Sequence, residues 1–124
     1  MKQVKIILIF VLAGFVLSAV AQTINEAGTV FNEAIQLAKD EQNEAAVKIY
    51  DKCINICEQL GEEGEDLKMK AQTQITIMCS KMGIDAYKTK KPDEAIAYLN
   101  KSYKYAEIIV DKKAMDKATK YLGY

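Results

Sequence analysis

The sequence predicts an all-α domain of about five helices behind an N-terminal export signal. Three observations carry that expectation. After Gln22 the apolar residues recur at spacings of three and four, and no stretch alternates apolar and polar residues as a half-buried strand does. Helix breakers fall at helix-length intervals, at 40–43, 61–64, 91–92 and 111. A stretch of the chain also recurs 49 residues later, so helices are expected to come in antiparallel pairs stacked on one another.

Residues 1–21 have the layout of a secretory signal peptide. Lys2 and Lys5 give the basic flank, 6–17 run without a charge, and Ala19-Val20-Ala21 supplies small residues at alternate positions. Cleavage after Ala21 would leave Gln22 as the N-terminus of a 22–124 domain. The apolar run is shorter than the roughly 20 residues of a full crossing, and retention as an anchor is the alternative. No integral membrane domain is expected after cleavage. The implied location is the periplasm or cell envelope of a Gram-negative bacterium.

The elements follow in order. Thr23-Ile24-Asn25-Glu26 is a capping box, a hydroxyl with a carboxylate three residues on, and opens a helix whose stripe includes Val30, Ala34, Leu37 and Ala38. A second helix from about Glu44 carries Val47, Tyr50, Ile54 and Cys57 on one side. Gly61 suits its C-cap. A long third helix, about 65–90, turns Ala71, Ile75, Met78, Cys79, Met82 and Ala86 inward. Pro92 fits the first turn of a fourth helix, where Asp93 and Glu94 favour the dipole. That helix carries Ala95, Leu99, Ser102 and Tyr103. Asp111 starts a short fifth helix, about 111–122.

Composition narrows the chemistry. The chain has no His, Trp or Arg and a single Pro. Without His it lacks the commonest general base and metal ligand, and without Arg the bidentate anion binder. No catalytic residues, metal or cofactor are expected, and no nucleic-acid-binding motif appears. The tyrosines of the second half, Tyr87, Tyr98, Tyr103, Tyr105, Tyr121 and Tyr124, read as packing residues. Cys53, Cys57 and Cys79 are an odd set without a fourth ligand, expected to be buried small hydrophobes; a Cys57–Cys79 bond stays open. Charge is unevenly spread: 22–66 holds 3 Lys against 11 acidic residues, and 67–124 holds 12 Lys against 6. Two solvated faces of opposite sign or head-to-tail attraction between molecules would both produce this.

The repeat aligns 44–54 with 93–103. Ala46 pairs with Ala95, Lys52 with Lys101, Cys53 with Ser102, Ala34 with Gly83 and Lys39 with Lys88. The later unit, Met82-Gly83-Ile84-Asp85-Ala86-Tyr87 followed by Pro92-Asp93-Glu94-Ala95-Ile96-Ala97-Tyr98-Leu99, resembles a tetratricopeptide repeat. Gly83 and Ala95 are small where two helices approach closely, and Met82 and Leu99 fill the space between. The chain departs from the pattern in three ways. Ala86 stands where the pattern has Tyr, Glu33 stands where it has Leu, and the spacing is 49 residues rather than about 34. The extra residues are expected to lengthen the helices on both sides of 61–64. The units would be 24–60 and 64–109, with a terminal helix that is either a cap with a lysine-rich outer face or the start of a longer array.

The resemblance implies a non-enzymatic scaffold that binds a partner protein or peptide on a concave face made by the first helix of each pair. That face would hold Phe31, Ile35 and Lys39 from the first unit and Ser80, Ile84, Tyr87 and Lys88 from the second. The other reading places these apolar residues in the core of a small bundle. Self-association through the C-terminal helix, using Tyr121 and Leu122, is a further expectation.

Overall fold

The structure is a computed structural model that describes residues 24–123; the signal expected at 1–21, Thr23 of the expected capping box and Tyr124 lie outside the described residues. Every regular element among the described residues is helical. Residues 24–39 are helical (α1), followed by α2 (Asn43–Leu60), a short 3₁₀ turn (Gly61–Gly64), α3 (Glu65–Lys88), α4 (Pro92–Ile108) and α5 (Lys112–Leu122). None of these helices is long and apolar enough to cross a membrane.

Local chemistry explains the boundaries. Pro92 sits in the first turn of α4, where its missing N–H is no loss. The Asp111 carboxylate accepts the Ala114 N–H at 3.0 Å and caps α5. Gly123 closes α5 with φ 81°, its N–H bonded to the Thr119 carbonyl. The α1–α2 and α3–α4 connectors are the same turn: Gln42 N–H reaches Leu37 O and Lys91 N–H reaches Ala86 O, each at 2.9 Å. Each carries one left-handed residue, Glu41 and Lys90.

The core is continuous through α1, α2 and α3. Val30, Tyr50, Cys53, Ile54, Cys57, Ile75 and Cys79 are buried together. Helix α3 is the centre of the molecule, packing on α2, most extensively on α4, and on α5. Two hydrogen bonds repeat across the 49-residue offset. Cys53 Sγ donates to Ala27 O at 3.5 Å, and Ser102 Oγ donates to Thr76 O at 3.0 Å. Both donors and both carbonyl-bearing residues are buried. Helices α2 and α4 are joined mid-length by Asp51, which pairs with Lys101 and accepts the Tyr105 hydroxyl at 3.0 Å. Their N-terminal ends border one depression, through Glu44 on α2 and Glu94 and Tyr98 on α4, so the two helices run the same way.

Two expectations need adjustment. The extra length falls on α3, which has 24 residues, while α2 with 18 matches α4 with 17. Helix α3 also ends at Lys88 rather than 90, because Lys90 turns left-handed with φ 59°. The 61–64 stretch is an ordered close approach: a Cβ on Gly64 would overlap the Cys57 backbone carbonyl.

Candidate functional site

Phe31 and Ile35 are half-buried on α1, and Phe31 packs edge-on against Tyr50 with ring centroids 5.5 Å apart. Their free sides border a hollow of about 530 Å³ whose far wall is the N-terminal half of α3, through Asp66, Met69, Lys70 and Thr73. Gln74 carries the hollow into a second one of about 400 Å³, bordered by Ala38, Lys39 and again Phe31 and Ile35. The result is an apolar floor with an amide, a hydroxyl and charges of both signs at its edge. Met69 is 59 % exposed there although nothing in the fold requires an apolar residue at that position.

Of the residues expected on the concave face, Phe31, Ile35 and Lys39 lie together at this hollow. The second-unit residues lie elsewhere. Ile84 is only 9 % exposed and packs with Ala86, Ala95 and Leu99, covered by Tyr121 and Leu122 of α5. It is core, because α5 folds over the very face that the repeat would leave open. Ser80 is 7 % exposed and its buried Oγ has no partner. Tyr87 is exposed but stacks edge-on against Tyr121 at 5.4 Å. Lys88 is exposed in the last turn of α3. A single strip of Phe31, Ile35, Ile84 and Tyr87 therefore does not exist.

Met69, Lys70, Thr73 and Gln74 are the residues that sequence reasoning missed. The 49-residue offset equates Phe31 with Ser80 and so directs attention to the C-terminal half of α3. A signal was present: Met69, Thr73, Ile77, Ser80 and Ile84 follow one another at helical spacing along one face.

Compared with protein-family models, with curated proteins and with solved structures, the chain matches none. The reading of the hollow therefore rests on its own residues.

The thiols are not arranged for chemistry. All three are free and buried. Burial, with neighbouring Cys57 adding to it, pushes Cys53 up to about 12, and burial pushes Cys79 up to about 11 despite the opposing Lys101 charge. A nucleophilic thiol needs the opposite shift. Tyr105 is likewise raised, first by burial and then by the Asp51 carboxylate that accepts its hydroxyl. These groups are held protonated and serve packing.

Proposed function

We propose that this chain is an exported, non-enzymatic scaffold of the tetratricopeptide-repeat type, which binds a partner protein or peptide in the hollow between α1 and α3. The single observation that carries the reading is the joint placement of Phe31, Ile35 and exposed Met69 around one apolar floor with Lys39 and Lys70 at its edge. An apolar anchor seated between polar groups is how such grooves hold a helix or an extended segment. The repeat-type reading is supported by the paired Cys53–Ala27 and Ser102–Thr76 hydrogen bonds at the 49-residue offset. It is also supported by each helix touching the next but one: Phe31 on α1 borders Met69 on α3, and Asp51 on α2 reaches α4. The export signal and the envelope location belong to the same proposal and rest on the 1–21 pattern.

Affinity capture from an envelope extract tests it, with wild type compared against Met69→Asp. Met69 is exposed, so the substitution leaves helicity unchanged while placing a charge on the apolar floor. A partner held by wild type at high salt and lost by Met69→Asp supports the hollow. A partner held equally by both places binding on another surface, and no retained partner removes the scaffold reading.

A further inference from the structure

The turn that follows α1 and α3 also follows α4. In each, a backbone N–H closes the turn: Gln42 to Leu37 O and Lys91 to Ala86 O at 2.9 Å, and Asp111 to Ala106 O at 2.8 Å. The residue before that N–H is left-handed each time, Glu41 at φ 62°, Lys90 at φ 59° and Val110 at φ 57°. The three turns differ in what occupies them. Lys39-Asp40-Glu41 and Lys88-Thr89-Lys90 are polar and exposed. The third is Ile108-Ile109-Val110, all β-branched and aliphatic, with Ile108 52 % and Val110 80 % exposed.

Those residues oppose the turn they form. A β-branched side chain crowds the left-handed backbone more than Glu or Lys does, and it favours extended backbone instead. The strained turn is also the link that ties α5 to α4. Helix α5 has 11 residues, of which Ala118 is buried. Tyr121 and Leu122 seat it against the cluster of Ile84 and Ala86 on α3 and Ala95 and Leu99 on α4. Tyr121 also lies edge-on to Tyr87. The cap of α5 is internal to it, since the Asp111 carboxylate bonds the Ala114 N–H. The helix therefore keeps its cap when the residues before Asp111 change conformation.

We propose that α5 is exchanged between two copies of the chain. The 108–110 turn opens, and the α5 of each copy lies on the α3–α4 seat of the other, about a two-fold axis. The seat selects this occupant. Tyr121 and Leu122 fill it in the single chain, and a second copy's α5 remakes each of those contacts, so exchange alters only the hinge. At the hinge it is favourable. Val110 leaves the left-handed region, and the Ile108 and Val110 side chains of the two copies lie against each other out of water. The Val110 and Asp111 N–H groups, released from Glu107 O and Ala106 O, bond the facing segment or water. A short connector under strain favours exchange over closure within one chain. Two chains lose freedom on joining, so the dimer forms at high concentration. Because α5 must first leave its seat, the dimer forms and separates slowly. The seat is separate from the hollow between α1 and α3, and exchange requires no bound partner.

Size-exclusion chromatography with light scattering tests the exchange, on purified protein held at millimolar concentration just below its melting temperature and then cooled. A dimer is expected that outlasts dilution and returns to monomer on rewarming. Cross-linking then shows which chain supplies each α5. In Tyr87→Cys with Tyr121→Cys the new thiols replace rings 5.4 Å apart, and a short bis-maleimide bridges them while Cys53, Cys57 and Cys79 stay buried. The bridge is expected within one chain in the monomer fraction and between two chains in the dimer fraction. Val110→Asn accepts the left-handed turn, so it lowers the association constant about tenfold with the melting temperature equal or higher. Lengthening the connector by about four Gly and Ser residues after Val110 leaves monomer alone. A wild-type chain that stays monomeric under these conditions overturns the proposal. So does a dimer bridged only within its chains, or one that forms as readily with Val110→Asn or with the longer connector.

Discussion

At the scale of single residues, small size and protonation state decide what the interior tolerates. A Cβ on Gly83 would lie 2.7 Å from Leu99 Cγ, so α3 and α4 approach closely only because that side chain is missing. Gly83→Ala is expected to cost about 1–3 kcal/mol, read from urea denaturation, since the whole of α4 must shift or Leu99 must leave its rotamer. Ala34, 49 residues earlier, is fully buried. The thiols make a pH prediction. Cys79 is raised from its ordinary 9.0 to about 11 by burial, so the folded state binds its proton more tightly than the unfolded one. Its contribution to stability is complete below pH 9 and is lost as pH rises toward 11. Denaturation midpoints measured from pH 8 to 11 are expected to fall, and Cys79→Ala to fall less steeply over the same range. All three cysteines were expected to be buried, because free cysteine behaves as a small hydrophobe and is commonly found inside. Buried Gln72, Thr76 and Ser80 on α3 were not expected, since a polar residue gives no inward signal until the helix that covers it is in place.

Among the elements, α3 and α5 decide the shape of the candidate site. Helix α3 is covered on several sides, so its pattern of buried residues is broad rather than a single stripe, and the inner face read from the sequence holds only part of it. The link between α2 and α4 is the polar counterpart of that packing. Asp51 takes both Lys101 and the Tyr105 hydroxyl, and all three side chains are partly buried. Asp51→Ala is expected to destabilise by about 1–2 kcal/mol, less than a fully buried pair because solvent screens it. A double-mutant cycle with Lys101→Ala, followed by chemical denaturation, reads the pairwise part directly. Helix α5 depends on its cap. Asp111→Ala removes the bond to Ala114 N–H and is expected to cost about 1 kcal/mol. Because Tyr121 and Leu122 cover Ile84, the same substitution should also speed amide exchange across the last turns of α3.

At the scale of the whole molecule, α3 stands at the centre, and its N-terminal half forms one wall of the hollow bordered by Phe31 and Ile35. Met69→Asp is expected to abolish partner capture while leaving the melting temperature within about 4 °C, because an exposed side chain contributes little to stability. Capture and thermal melting measured on the same variant check both.

The all-α class, the connector positions, the N-terminal proline of α4 and the Asp111 cap were legible in the residues alone. Each depends on neighbours within a few positions. Phe31, Ile35 and Lys39 were expected together from the repeat resemblance, and they border one hollow along α1. Which half of α3 faces them could not be read that way. That choice depends on how far α3 extends past Gly64 and on where α5 folds back. Only the tertiary structure decided that Ile84 is core and Met69 is surface, because the helix that buries the one and spares the other lies dozens of residues away in the chain.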